Sequence, residues 1–141
     1  MTWRFVDFEK KYDRSKFDCG EPALDNYLQT QMSPDFTRKA NVPVLAVNPQ
    51  DEVVGYYTLS NGTVDFANFP ASLKSKIAPY PVPIARIGRL AVDNSTKGQG
   101  LGRELLFHAI DRVEKISAEI GIRAIVVDAK NQTAENFYLK Y

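Results

Sequence analysis

One cysteine and one histidine among 141 residues leave little material for metal or redox chemistry. Cys19 has no second cysteine with which to close a disulfide, and together with His108 it makes too few soft ligands for a zinc site. No metal is therefore expected. A net charge of +1 lacks the excess of a uniformly basic nucleic-acid binder, although eighteen Lys and Arg can still be gathered locally. No apolar run approaches the roughly 18–20 residues of a bilayer span. Met1-Thr2-Trp3-Arg4-Phe5 lacks the basic start, apolar stretch and small-residue cleavage site of a secretory signal. Repeats, low-complexity tracts and linkers are also missing. These absences, with 44% hydrophobic and 25% charged residues, point to one cytoplasmic domain over residues 1–141.

What is present alternates between strand and helix patterns. Trp3–Phe8 reads as a strand. Glu21-Pro22 opens a helix, with proline where its missing N–H is harmless, and Leu24, Tyr27, Leu28 and Met32 form one apolar stripe. Ser33-Pro34 is expected to break that helix, with a further turn over Asp35–Ala40. Val42–Val47 and Val53–Val64 form a hairpin around the polar loop 48–52. A short helix is expected over Phe69–Ile77, and prolines 79, 81 and 83 hold the chain extended up to Ile84. Ile84–Asp93 is a strand. Apolar residues at 101, 105, 106, 109, 110, 113, 116 and 120 mark a helix of about five turns, which Gly121 is placed to cap. Ile122–Ala129 is a continuous apolar strand, parallel to 84–93 across the intervening helix. Thr133–Tyr141 is expected to begin a last helix.

The chemistry lies between Asp93 and that long helix, in Asn94-Ser95-Thr96-Lys97-Gly98-Gln99-Gly100-Leu101-Gly102. Glycine costs about 1 kcal/mol relative to alanine inside a helix, so three at alternate positions need another reason. They let backbone N–H groups converge at a helix N-terminus, where the dipole also favours an anion such as a pyrophosphate. The plainer reading is a tight strand-to-helix turn, and a lone GxGxG gives it equal weight. The phosphate loop of nucleotide triphosphatases is excluded by Arg103-Glu104 where Lys-Ser/Thr would be required. A dinucleotide site fails at the third glycine spacing, and Asp128 comes late for a ribose contact.

Arg89-Leu90-Ala91-Val92-Asp93 followed by Lys97-Gly98-Gln99-Gly100-Leu101-Gly102 resembles motif A of the GCN5-related N-acetyltransferases, Q/R-x-x-G-x-G/A. Lys97 departs from the Gln or Arg of that pattern. Asp128-Ala129-Lys130-Asn131 and Ala134-Glu135-Asn136-Phe137-Tyr138 resemble motif B. The resemblance implies an α/β (α+β) fold: a mixed central sheet with a splayed parallel strand pair and flanking helices. It also implies acetyl-CoA as acyl donor. Residues 97–102, with Arg103 beside them, would cradle the pyrophosphate. Leu90, Ala91 and Val92 would run along the pantetheine, with Asn131 nearby. The Val92 N–H would face the thioester carbonyl as an oxyanion donor, and Tyr138 would protonate the leaving thiolate. The plainer role for Tyr138 is a core aromatic.

Phe17-Asp18-Cys19-Gly20, Leu24-Asp25-Asn26-Tyr27-Leu28, Gly55-Tyr56-Tyr57-Thr58-Leu59-Ser60 and Ile87-Gly88-Arg89-Leu90-Ala91-Val92 further resemble the acetyltransferase toxins of type II toxin–antitoxin modules. That resemblance implies acetylation of the α-amine of aminoacyl-tRNA, a homodimer and a ribbon-helix-helix antitoxin. Transfer to a small amine or a protein N-terminus is the alternative. A free α-amine titrates near 7.7–8.0, so no strong general base is needed. Arg38, Lys39, Arg86 and Arg89 are the candidate tRNA contacts, each set against a plain surface charge. Cys19 reads as a small buried residue and His108 as structural. The family usually continues past Tyr141 with two antiparallel strands beside 122–129. Without them that strand is expected to have an open edge, and an inactive module that binds CoA or antitoxin is a third reading.

Overall fold

The computed structural model describes the backbone of residues 2–128 and 135–139 and the side chains of residues 2–127. The chain separates into two compact units. Residues 1–58 and 89–108 form the first, and residues 59–88 and 109–141 the second.

In the first unit, β1 (Arg4–Asp7) pairs antiparallel with β2 (Val42–Val47), Arg4 opposite Val47 and Asp7 opposite Val44. Beyond β2 lie β3 (Val53–Val64) and then β4 (Val82–Val92), each of which contributes to both units. The 48–52 loop closes the expected hairpin: Asn48 Oδ1 accepts from the Gln50 and Glu52 amides, and Asp51 takes a positive φ of 61°.

The first helical region does not break at Ser33-Pro34. α1 (Pro22–Asn26) passes through a π turn (Tyr27–Gln31) directly into α2 (Met32–Thr37). The Met32 amide reaches back five residues to the Tyr27 carbonyl, so the ladder restarts there. Pro34 then falls in the first turn of α2, where no intrahelical donor is required. α2 ends as a Schellman turn: Lys39 takes φ 60°, and the Ala40 amide bonds the Asp35 carbonyl. The apolar stripe buries as expected, with Leu28 and Met32 fully inaccessible in a core that includes Phe8, Phe17, Tyr56 and Ala91.

In the second unit, β4 pairs in parallel with β5 (Ala124–Asp128), Ile84 opposite Ala124 through Ile87 opposite Val127. The expected strand therefore starts at Ala124, two residues after Ile122. Its residues Ala124, Ile125 and Val126 are all buried, as a strand covered on both faces requires. α3 (Ala71–Lys74) packs Leu73 on a core of Phe69, Val82, Ile84, Ala124 and Val126. α4 (Leu101–Ile116) is shorter than its pattern suggested. The amides of Ala118 and Glu119 bond back three residues, closing the end with a tight turn, and Gly121 is not left-handed. Ile120 is 48% exposed, so packing offers nothing to extend the helix toward it.

The expected C-terminal helix is instead β6 (Glu135–Leu139), antiparallel to β5 with Ala124 opposite Leu139 and Asp128 opposite Glu135. An isolated helix that short is marginal, Phe137 and Tyr138 favour strands, and the unpaired side of β5 supplies five ladder positions. The expectation of an open edge beside β5 is corrected by the same pairing. No helix among the described residues is long and apolar enough to cross a membrane.

Candidate functional site

β4 carries the site from one end. Its ladder with β5 stops at Ile87, yet the strand continues five residues to Val92. The Arg89 amide donates to Thr58 Oγ1 at 3.1 Å and the Asp93 amide to the Val54 carbonyl at 2.8 Å, both on β3. Strand alternation then turns the Leu90 and Val92 amides toward the opposite edge of β4. Ala91 points into the core, 1% exposed.

Asp93 ends the strand and organises the turn. Its Oδ2 accepts from the Ser95 amide and hydroxyl at 3.0 and 2.5 Å, and its Oδ1 accepts from the Asp18 amide at 2.8 Å. Buried Thr96 bonds the carbonyls of Val54 and Asp93. The loop thus enters the glycine segment from a fixed platform. Sequence reasoning did not single out Asp93 or Thr96, although Asp-x-Ser is a recognisable side-chain turn.

Gly98 and Gly100 are both left-handed, at φ 79° and 88°, and a Cβ on either would meet no heavy atom within 4 Å. Conformation, not crowding, demands glycine there. The first bond into α4 runs from the Glu104 amide to the Gly100 carbonyl. The amides of Leu101, Gly102 and Arg103 therefore precede the helical ladder at its positive end. Gly102 differs: its φ is ordinary, and a Cβ would lie 3.5 Å from Val92 Cγ2. Gly55, which sequence reasoning gave no role of its own, has the tightest approach. A Cβ there would come within 3.0 Å of Leu101 and Leu105, so its bareness seats the start of α4 on β3. Open space in front of successive free amides is the shape a pyrophosphate needs.

The Lys97 side chain turns away from that space. Its Nζ donates to the Cys19 carbonyl, beside left-handed Gly20, and so ties the 18–20 loop to the turn. Gln99 Nε2 bonds the Ser95 carbonyl at 3.1 Å, and the Arg103 guanidinium lies 5.3 Å from the Phe107 ring. Any grip by residues 97–103 on an anion is thus mostly a backbone grip.

Arg89 lies half-buried on β4, its guanidinium 3.7 Å from the Tyr27 ring centroid. No carboxylate among the described residues pairs with it. Tyr27 donates its hydroxyl to Asp35 at 2.8 Å and accepts from Asn41 Nδ2 at 2.8 Å. Burial pushes its pKa above the ordinary phenol value, and the nearby guanidinium opposes that shift. Tyr56, deeper and bonded to the Leu24 carbonyl, is raised further for the same first reason. Arg38 and Lys39 are exposed at the end of α2. Arg86 belongs to the second unit, on β4 opposite Val126. Cys19 is buried with its amide on Asp25, and His108 Nδ1 meets the Tyr57 hydroxyl at 2.8 Å while its ring packs on Phe5. Cys19 is thus buried as expected, and His108 is half-buried in contact with Phe5 and Tyr57. Asn131 lies outside the described residues, and Tyr138 is described only as a backbone position of β6, opposite Ile125.

Residues 4–141 match the family model of the acetyltransferase (GNAT) family. The tRNA-acetylating toxin of Mycobacterium tuberculosis (strain ATCC 25618 / H37Rv) is 36% identical over 92% of the chain and 76% of its own length. The probable toxin TacT of Sinorhizobium fredii (strain NBRC 101917 / NGR234) is 25% identical over 84% of the chain, which spans 66% of that relative. Among solved structures, the toxin AtaT complexed with acetyl-methionyl-tRNAfMet matches with a TM-score of 0.84 at 32% identity, over 93% of this chain and 80% of that one. A Tyr-to-Phe variant of AtaT, bound to the C-terminus of the antitoxin AtaR and acetyl-CoA, matches with a TM-score of 0.77 at 30% identity, over 92% and 77%. With its parallel β4–β5 pair, its left-handed glycines and the match across 4–141, the chain belongs to the GNAT acetyltransferase family.

Proposed function

We propose that this chain is a toxin that transfers the acetyl group of acetyl-CoA to the α-amine of aminoacyl-tRNA and so blocks translation. The observation that carries the donor half is the pair of left-handed glycines opening onto the unbonded amides of α4. The acceptor half is supported by the relatives, a tRNA-acetylating toxin and a toxin complexed with acetyl-methionyl-tRNAfMet.

In this reading the Gly98–Arg103 amides bind the pyrophosphate, and the Leu90 and Val92 backbone aligns the pantetheine along the free edge of β4. A neutral α-amine attacks the thioester carbonyl. The Val92 N–H stabilises the oxyanion, which collapses to the amide as the C–S bond breaks. Tyr138 gives the departing thiolate its proton, and the ammonium proton of the new bond is lost to solvent. Asn131 stands beside the pantetheine. Arg38, Lys39, Arg86 and Arg89 contact tRNA phosphates. A homodimer neutralised by a ribbon-helix-helix antitoxin completes the proposal; the AtaT–AtaR complex supports an antitoxin partner. A single domain acting in the cytoplasm fits such a substrate.

Incubation with labelled acetyl-CoA and charged tRNA tests the reading. Label should appear on the aminoacyl group; label moving only to small amines or peptides would replace the acceptor, and binding without transfer would remove the activity. Tyr138→Phe should lower turnover by about 10²–10⁴-fold with CoA affinity nearly intact, the range typical of a lost general acid. Unchanged turnover removes Tyr138 from the mechanism.

A further inference from the structure

Away from the glycine loop, a cleft of about 480 Å³ opens in the first unit between the end of β1 and the helical region. Lys10, Lys11 and Arg14 contribute its cations, and Asp13 its one carboxylate. The surrounding cations are satisfied: Arg4 pairs with Asp51 and Lys16 with Glu52, each at 2.7 Å. Lys10 and Lys11 are exposed and have no ion-pair partner among the described residues; Lys11 meets only the Tyr12 ring, at 5.2 Å.

Arg14 is of another kind, because its direction is fixed. One Nη1 donor goes to the Leu28 carbonyl at 3.0 Å, and the guanidinium lies 5.1 Å from the Phe8 ring, which leaves most of its five donors for another acceptor. Asp13 is turned to its own loop: Oδ1 accepts from the Ser15 amide at 2.8 Å and the Ser15 hydroxyl at 2.6 Å. The Phe8 ring also packs on Phe36, at 5.5 Å between centroids, and Arg38 and Lys39 follow two and three residues later. Three cations thus line one cleft, and two more follow Phe36 in sequence, on a chain whose net charge is only +1.

We propose that the cleft lined by Lys10, Lys11 and Arg14 binds the phosphate backbone of the RNA whose aminoacyl end is acetylated. This extends, and rests on, the aminoacyl-tRNA reading above. Two exposed point charges beside one pre-oriented guanidinium suit a phosphate chain, with Arg14 setting position and the lysines supplying counterion release. An apolar anchor, which a protein partner would need at the centre of its interface, is lacking inside the cleft, where Tyr12 is only 5% exposed.

The test compares the full chain with Lys10→Glu/Lys11→Glu and with Lys10→Gln/Lys11→Gln. Binding of deacylated tRNA is followed by fluorescence anisotropy from 50 to 200 mM salt, and acetyl transfer is measured on charged tRNA and on an aminoacyl ester. Both side chains are exposed, so melting temperatures should match the parent. The slope of log K against log salt should fall by about two in magnitude for the glutamine pair, with weaker binding to every tRNA sequence. KM for charged tRNA should rise, while transfer to the ester and KM for acetyl-CoA hold. An unchanged salt slope in a parent that does acetylate charged tRNA overturns this inference alone. A parent that acetylates no charged tRNA overturns the reading beneath it, and this inference with it. An unchanged RNA slope with lost affinity for an acidic peptide reassigns the cleft to a protein partner.

Discussion

Gly100→Ala and Gly102→Ala should move stability in opposite directions, although two residues separate them in one motif. Gly100 sits at φ 88°, where a Cβ crowds its own backbone at a cost of roughly 1–2 kcal/mol. Nothing lies within 4 Å of that Cβ, so the whole cost is conformational. Gly102 is within α4 at an ordinary φ, and its Cβ would make an ordinary 3.5 Å contact with Val92. There alanine gains up to about 1 kcal/mol of helix propensity. With an unfolding entropy of about 2.1 cal/mol/K per residue over this length, Gly100→Ala should lower Tm by about 3–7 °C and Gly102→Ala should raise it by up to about 3 °C. Titration calorimetry with CoA supplies the second measurement. The methyl of Gly100→Ala projects into the open space that the pyrophosphate would fill, so affinity should fall about tenfold or more, equivalent to about 1.4 kcal/mol. Equal destabilisation by both variants, or unchanged CoA affinity in Gly100→Ala, would refute the division between conformational and packing glycines.

Gly55→Ala should cost about 1–3 kcal/mol, since the new Cβ would press within 3.0 Å of Leu101 and Leu105 and 3.3 Å of the Ala91 carbonyl. Urea denaturation should show it, and Leu105→Ala, a loss of about 2–5 kcal/mol at this fully buried position, should cost less in the Gly55→Ala chain than in the parent. In the acid limb, Asp13 and Glu52 both have depressed folded-state pKa values, the first chiefly through Ser15 and the second chiefly through Lys16. The unfolded chain therefore takes up protons first as pH falls, so their stabilisation is complete above the ordinary carboxylate range and is lost through and below it. Ser15→Ala, which removes the hydroxyl bond and keeps the amide bond, should flatten part of the Asp13 acid limb in pH-dependent denaturation, and an unaltered limb would exclude the Ser15 hydroxyl as its cause.

Legibility in the sequence followed the range of the interactions. The strand–glycine–helix unit was readable because its causes are local: β-branched residues up to Val92, glycines that alone accept φ near 80°, then apolar residues at helical spacing from Leu101. Gly98, Gly100 and Gly102 looked alike in sequence, and only backbone geometry separates the two that need left-handed conformation from the one that packs. Asp93 and Gly55 escaped notice for the opposite reason. Their partners, Asp18 and the leucines of α4, are distant in sequence, so no spacing rule reaches them. Lys97 combined both cases: its position in the motif was evident, but its side-chain partner at Cys19, 78 residues away, was not.

The misread helices have a common physical origin. Periodicity reports which residues could share an apolar face, not how far that face is covered. Ile116 and Ile120 continue the spacing of Leu105, Ala109 and Val113, yet burial falls from complete at Val113 to half-exposure at Ile120, and α4 stops between them. Ser33-Pro34 carries the breaking signal of any proline, but that signal presumes a continuous α-ladder before it. The π turn over Tyr27–Gln31 resets the ladder, makes Met32 the start of a new helix and places Pro34 where its missing donor is harmless. The π turn also begins at Tyr27, the ring under Arg89, so the irregularity that hides the helix from sequence rules lies at the aromatic platform of a candidate substrate contact. Irregular helical turns recur at functional positions because a widened turn re-aims side chains that a regular helix would leave elsewhere. Leu28 and Met32, on either side of the widened turn, both stay fully buried, so the irregularity beneath Arg89 is accommodated without exposing the core stripe.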